Sequence, residues 1–330
     1  MRIAVVGIGA LGSLLGARLS VVADVILFGH WPEQIAAVRR NGLRIEDLEG
    51  NPVTYEVSIT SDPELIAGTN IVLVAVKSRQ TSKTAQILSE RLNSTDLVIT
   101  LQNGLNNRER LVEILGPERV VIGVTSEGAT LLAPGIVRHA GRGHTFLSLH
   151  DALRPEPKNR LMELAGVFTE AGFDTQIVVD VSGLVWSKLA VNAAINPLTA
   201  LLQVPNGFLL EHQPLKDIMR QAVEEVATVA QSQGIELPYP IATEQAYRVA
   251  EATAANISSM LQDFRRGVPT EIGDISGAIS YLGQEKGIST PVNSRLYQLV
   301  RDVETGTVPP LKPGDVDGLL YLMAINMGYN

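Results

Sequence analysis

Residues Arg2–Leu19 read RIAVVGIGALGSLLGARL, and the fold turns on them. A short apolar run from Arg2 to Val6 stops at a cluster of glycines, and Leu11 to Val22 then carry apolar residues at helical spacing. Strand, tight turn and helix follow one another, with Gly7-Ile8-Gly9-Ala10-Leu11-Gly12 in the turn. That is the G-x-G-x-x-G pattern of a dinucleotide-binding loop. Gly7 permits the tight turn, Gly9 lets backbone approach a pyrophosphate, and Gly12 lets helix and strand pack closely. The helix N-terminus attracts the phosphate charge.

Working outward, the apolar runs Val25–Phe28 (VILF), Ile71–Val76 (IVLVAV), Leu97–Thr100 (LVIT) and Val120–Val124 (VVIGV) recur after helical stretches. The first two are continuously apolar, as in strands buried on both faces of a parallel sheet, and the last two repeat the pattern. Strands alternating with helices imply right-handed βαβ crossovers and an α/β fold with a Rossmann-type parallel sheet. The stretch from Pro134 to Leu149 reads as a β-hairpin turning near Gly141–Gly143. Beyond about residue 180 long amphipathic segments dominate: Gly183–Leu202, Pro214–Gln233, Ile241–Arg266 and Glu271–Lys286. The boundary is expected between Gln176 and Ser182, giving a dinucleotide-binding domain over 1–179 and a mainly helical substrate and catalytic domain over 180–330. The prolines and glycines beyond Gly306 suggest a loosely packed tail.

The 330 residues favour two domains, and 45% hydrophobic with 19% charged residues is ordinary for globular protein. A formal net charge of -8 argues against a nucleic-acid partner, whose phosphates need Lys and Arg to neutralise them. With no cysteine, disulfides, thiolate nucleophiles and thiolate metal sites are all ruled out. His139, His144, His150 and His212 form no H-E-x-x-H pair, so no catalytic metal is expected. Arg2 and the apolar run after it resemble a signal peptide. The fingerprint glycines and the want of a small-residue cleavage site argue against that, and no apolar run elsewhere nears a membrane span of about 20 residues. A cytoplasmic location is the expectation.

Where the second strand ends, at Phe28-Gly29-His30, NAD-binding proteins usually place an acid for the ribose hydroxyls. No carboxylate stands there, and His30, with Arg39 and Arg40 further on, suits the extra phosphate of NADP. Glu33, beyond Pro32, complicates this, although an acid in the first turn of a helix is ordinary. Lys77 directly follows IVLVAV, and Asn103 lies in LQNG after LVIT. Both sit where such a sheet presents loops to a cofactor, and both are also compatible with a solvated lysine and a turn-forming Asn-Gly.

In the second half, Lys188, Asn192 and Asn196 are spaced by four within WSKLAVNAAINP, residues 186–197. On a helix they form one slowly drifting polar stripe among apolar residues. A buried lysine loses affinity for its proton and becomes suited to proton donation. A snorkelling lysine with two core asparagines satisfied by backbone fits the same pattern. Pro197 suggests a kink.

The string KLAVNAAINPLTALLQVPNG, Lys188–Gly207, closely resembles the central motif of the ketopantoate reductase (2-dehydropantoate 2-reductase) family. AANISSMLQDFRRGVPTEIGDISGAI, Ala254–Ile279, resembles its second signature, and GISTPVNSRLYQLV, Gly287–Val300, continues the likeness. With the glycine loop and LQNG, the resemblance spans nearly the whole chain. It implies that NADPH delivers hydride to C2 of ketopantoate while Lys188 polarises the carbonyl and supplies the proton, with Glu271 the acidic residue of the site. It implies substrate contacts from Asn192, Asn196, Asn206 and Ser259, with Asn256 an additional member. It further implies cofactor contacts from Lys77, Asn103 and Ala129 beside the glycine loop. His30 stands where relatives often carry an arginine for the NADP phosphate, which bears on cofactor preference. Read without the resemblance, Glu271 is equally an exposed acid near a helix start. Two alternatives remain: a reductase of the same family acting on another 2-keto acid, and a non-catalytic NADP(H)-sensing regulator. A monomer or homodimer is expected.

Overall fold

In the computed structural model, which describes residues 1–237 and 242–324, the chain divides into two compact units. The first is Met1–Gln102 with Asn106–Val181; the second joins Asn103–Leu105 to the residues from Ser182 onward.

The first unit holds an eight-stranded sheet. Its strands are β1 (Arg2–Val6), β2 (Asp24–Phe28), β5 (Ser58–Thr60), β6 (Ile71–Val74), β7 (Leu97–Thr100), β8 (Val120–Thr125), β11 (His144–Ser148) and β12 (Asp174–Val178). The spatial order is β12-β11-β8-β7-β6-β1-β2-β5. All neighbours run parallel except β11 against β8. Alternation along each strand divides the sheet between two cores. Ile3, Val5, Leu27, Leu73 and Ile99 join Leu14 and Leu15 of α1 (Ala10–Leu19) and Leu161, Leu164 and Phe168 of α5 (Pro155–Glu170). Ala4, Val6, Phe28, Val74 and Val98 face the other way. They join Ala85 and Leu88 of α3 (Thr81–Ser89) and Leu111 and Leu115 of α4 (Asn107–Leu115). Each fully buried Leu, Val or Phe contributes about 1.5–3 kcal/mol, so this two-sided burial fixes the register.

A four-stranded sheet, β4-β3-β10-β9, is built from β3 (Leu43–Glu46), β4 (Pro52–Tyr55), β9 (Gly128–Ala133) and β10 (Ile136–Gly141). The hairpin expected near Gly141–Gly143 does not form. β10 pairs with β9 and β3, whereas β11 pairs with β8 and β12 in the other sheet. The true turn is Pro134-Gly135, where Gly135 takes φ +77°, a conformation glycine adopts without steric cost. At Gly143 the chain instead packs against Ser126, and its N–H donates to Glu127 Oε1 at 3.2 Å.

The second unit is helical. Its centre is α6 (Ser182–Leu202), which runs through Pro197 and packs against α7 (Gln213–Ser232), α8 (Ala242–Ala252), α9 (Ser259–Arg265) and α11 (Pro291–Glu304). The segment expected as one helix over Ile241–Arg266 is two, its first residue lying outside the described ones. The break has a hydrogen-bonding cause. The carbonyls of Ala254 and Asn256 accept from Gly207 and Asn206, and Ser258 caps α9 by accepting from the Leu261 N–H at 3.1 Å. Similarly, the Glu271–Lys286 segment contains a short 3₁₀ turn, Ile272–Asp274, before α10 (Ser276–Lys286). The region beyond Gly306 is not loose throughout. It forms α12 (Val316–Ala324), which buries Leu319 and Met323 and receives the Arg295 guanidinium on its Leu322 carbonyl. Prolines and glycines conceal this helix from sequence reading because they cluster just before it.

Candidate active site

β1 lies between β2 and β6, so successive crossovers leave it in opposite directions, and the crevice beyond its carboxyl end is the usual ligand position in such sheets. The glycine loop sits there. Gly7 takes φ +115°, and a Cβ on it would lie 2.6 Å from the Ala75 backbone, just past the end of β6. A Cβ on Gly12 would lie 1.8 Å from the Gly7 carbonyl oxygen. Those two glycines serve the protein's own packing. Gly9 is different: its Cβ position meets nothing within 4 Å, so the chain itself does not require glycine there. Among the described residues no side chain caps α1 at Gly9, and its first turn carries no acid. Open space over a small residue at an uncapped helix N-terminus fits a pyrophosphate.

A buried relay fixes this loop. The Ser13 hydroxyl donates to the Ile8 carbonyl at 3.3 Å, Gln34 Nε2 donates to Ser13 Oγ at 3.1 Å, and the Gly135 N–H donates to Gln34 Oε1 at 2.7 Å. Glycine loop, α2 (Pro32–Asn41) and the β9–β10 turn are thereby held together. His30 is exposed just past β2, its ring at 5.1 Å and edge-on to Phe28. Glu33 occupies the first turn of α2. Arg39 does not reach this end: it sits in the last turn and donates to the Ile59 carbonyl at 3.1 and 3.2 Å. Arg40 shares that turn, roughly 12 Å along the helix from its start. Lys77 follows β6, and Ala129 lies in β9, which packs against α1. Ile8 is buried, with its side chain against Gly29, while Ala10 and Leu11 begin α1.

In the second unit, Lys188 and Asn192 are half-buried on α6 and Asn196 is only 6% exposed. Desolvation lowers the Lys188 ammonium from the usual 10.5 to about 8, against an opposing pull from the Glu271 carboxylate. Glu271 is 7% exposed, so it is not a surface acid. The pair explains how a lysine in an apolar helix keeps its proton near neutrality and still releases it. Asn206 opens a short 3₁₀ turn after α6, donates its Nδ2 to Thr253 Oγ1 at 2.9 Å, and leaves its buried Oδ1 without a partner. Such an orphaned acceptor is costly unless a ligand donor reaches it. Asn256 and Ser259 flank the start of α9, where Asn256 also receives the Asn206 N–H on its carbonyl at 2.9 Å. Asn103 belongs to this unit as well. A Cβ on its neighbour Gly104 would lie 2.7 Å from the Asp274 carbonyl, to which the Leu105 N–H donates at 3.2 Å. Gly104 and Leu105 are thus held against the turn that follows Glu271. Sequence reading missed Thr199 and Ser258, two buried hydroxyls between these elements. The capping preference of serine just before an apolar helix was the available signal for the second. Among the described residues, no group of three or more His, Cys, Asp or Glu is arranged to hold a metal ion, and no helix is long and apolar enough to cross a membrane.

A Rossmann-type unit with an open glycine loop, followed by a helical unit built round a desolvated lysine, defines a two-part α/β protein of the dinucleotide-binding class. Comparison with known proteins narrows this. A family model described as ketopantoate reductase PanE/ApbA matches residues 3–152, and its C-terminal counterpart matches residues 180–304. The 2-dehydropantoate 2-reductase of Halobacterium salinarum is 36% identical over 302 residues, covering 91% of this chain and 98% of that relative. The crystal structure of a PanE/ApbA family ketopantoate reductase from Ralstonia eutropha is 33% identical with a TM-score of 0.83, covering 93% of this chain and 99% of that one. The ternary structure of D-mandelate dehydrogenase with NADH and anilino(oxo)acetate is 26% identical with a TM-score of 0.85, at the same coverage. The chain belongs to the ketopantoate reductase family.

Proposed function

We propose that this chain is an NADPH-dependent 2-dehydropantoate 2-reductase, reducing ketopantoate to pantoate. The observation that carries this reading is the pairing of a lysine on the asparagine-bearing helix with a remote glutamate: Lys188, lowered to about 8 and opposed by the charge of buried Glu271, stands in line with Asn192 and Asn196. NADPH, when bound, supplies the hydride that goes to C2 of the keto acid. Gly7–Gly12 would receive its pyrophosphate, with Lys77, Asn103 and Ala129 as further contacts and His30 beside the adenosine ribose. Lys188 Nζ donates a hydrogen bond to the C2 carbonyl oxygen, draws electron density toward it, and transfers its proton to the alkoxide as it forms. General acid help of this kind typically contributes about 10²–10⁴-fold. Glu271 keeps Lys188 protonated until that transfer. The amides of Asn192, Asn196, Asn206 and Asn256 and the Ser259 hydroxyl orient the carboxylate and hydroxyl ends of the substrate. The first unit, 1–179 in outline, serves the cofactor, and the second, 180–330, serves the substrate and the proton. The enzyme acts in the cytoplasm as a monomer or homodimer.

A second reading, reduction of a different 2-keto acid with NADH, is favoured by the likeness to D-mandelate dehydrogenase bound to NADH and by the commitment of Arg39 to the Ile59 carbonyl. Purified protein assayed with ketopantoate beside a panel of 2-keto acids, each with NADPH and with NADH, separates the readings. The highest kcat/KM is expected for ketopantoate with NADPH. Preference for an aromatic keto acid with NADH moves the assignment to the second reading, and tight dinucleotide binding without turnover on any acid overturns both.

A further inference from the structure

Lys188, Asn192 and Asn196 stand on α6, whereas Asn256 and Ser259 stand at the entry to α9. One substrate can meet both groups only if the distance between the helices is fixed. The α6 backbone is weakened as a ruler at this point. Pro197 has no N–H, so the Ala193 carbonyl loses its usual donor within the helix. A side-chain contact is added two residues further on. The Thr199 hydroxyl reaches the Ile195 carbonyl at 2.9 Å, the Asn196 carbonyl at 3.1 Å and Ser258 Oγ at 2.8 Å. Ser258 Oγ in turn accepts the Leu261 N–H and so caps α9. Both hydroxyls are buried, and buried hydroxyls persist only where they are bonded. From the other side, the Asn206 and Gly207 N–H groups hold the carbonyls of Asn256 and Ala254 at 2.9 and 3.0 Å.

We propose that the Thr199–Ser258 hydroxyl pair is a positioning latch for the keto acid, setting the spacing between Asn196 on α6 and Asn256 and Ser259 at α9. Neither residue touches substrate; each acts through its neighbour, Thr199 on the Asn196 carbonyl and Ser258 on the backbone that leads into Ser259. The inference rests on the reductase reading above. It assigns the latch to substrate binding and not to the dinucleotide, because both of its ends lie in the second unit.

The test compares Thr199→Val, which keeps the shape and removes the hydroxyl, with Thr199→Ser, which keeps the hydroxyl. Ser258→Ala and the double variant Thr199→Val/Ser258→Ala complete the set. Steady-state kinetics with ketopantoate are read beside NADPH titration by protein fluorescence. Thr199→Val is expected to raise KM for the keto acid on the order of fivefold to tenfold, as for loss of one hydrogen bond from a positioned site. The NADPH Kd stays within about twofold, Thr199→Ser restores KM, and the double variant costs no more than the worse single one, since both lose the same contact. Ser258→Ala reads the contact from the other side should Thr199→Val fail to fold. An unchanged KM in Thr199→Val, or a Thr199→Ser variant as impaired as Thr199→Val, overturns the latch while leaving the reductase reading intact. A wild-type protein that turns over no 2-keto acid overturns that reading and the latch with it.

Discussion

On the proposed reading, the pH dependence of keto-acid reduction follows from the environment of one amine. Desolvation holds Lys188 at about 8, where an exposed lysine would sit at 10.5, and Glu271 is the charge that keeps it from falling further. If the protonated amine is the acid, the active fraction is roughly nine-tenths at pH 7 and roughly one-tenth at pH 9, with tenfold loss per unit beyond that. The quantity to follow is kcat/KM for the keto acid at saturating NADPH, from about pH 6 to about pH 10, since it reports the complex that awaits substrate. A plateau and then a fall with unit slope, breaking near the Lys188 value, is expected. Glu271→Gln is the sharper perturbation: it removes the charge that favours the ammonium, so the break moves to lower pH. Activity remaining in Lys188→Arg should lack the fall, because a guanidinium does not titrate in this range. A wild-type plateau extending to pH 10 would refute the assignment. So would a break that stays in place, or rises, in Glu271→Gln.

Other consequences concern cofactor and stability. Gly9→Ala is expected to fold with a near wild-type Tm, because its Cβ meets only open space, yet to weaken dinucleotide binding by tenfold or more; Gly12→Ala, blocked at 1.8 Å by the Gly7 carbonyl, is expected to lose stability as well, and thermal melts beside NADPH titrations distinguish the two. The lowered Lys188 value means that between about 8 and 10.5 the unfolded chain binds the extra proton, so this group's contribution makes the protein more stable as pH rises through that window. Urea unfolding of wild type and Lys188→Met across that window should show the rise only in wild type. Arg295→Met removes both donors to the Leu322 carbonyl and is expected to cost about 1–3 kcal/mol, read by urea unfolding, with protection of α12 amides falling first in hydrogen exchange.

Much of this arrangement was legible because the strands carry their burial in the sequence. VILF and VVIGV carry no polar side chain, and LVIT none before Thr100, since helices cover both faces of the sheet. The glycine loop was legible for a related reason, as only glycine satisfies the contacts at Gly7 and Gly12. The four-stranded sheet was not, because LRIE and PVTY expose alternate or most residues and resemble loop. The supposed hairpin shows the limit of local patterning: two alternating runs joined by glycines say nothing about which sheet each run enters. That choice was made by remote partners, Arg44–Glu46 for β10 and Gly123–Thr125 with Asp174–Val178 for β11.

The site divides along the same line. The four-residue spacing of Lys188, Asn192 and Asn196 declares a stripe to anyone who assumes a helix, but it does not say whether the lysine is snorkelling or desolvated. Packing by the rest of the unit decides that, and the charge that tempers it, Glu271, lies 83 positions further along the chain. Buried in the same unit, it opposes the desolvation that lowers Lys188 to about 8, so the amine still holds its proton near neutral pH. Arg39 teaches the converse. Its place after the second strand invited a phosphate-binding role, and the Ile59 carbonyl, supplied by a three-residue strand with little sequence signal, takes its guanidinium instead. On the proposed reading, cofactor preference is expected to fall on His30 and Glu33, which stand just past β2 and in the first turn of α2. Substituting His30→Arg should raise the NADPH to NADH ratio of kcat/KM if that end reads the ribose phosphate, whereas an unchanged ratio would place discrimination elsewhere in the first unit.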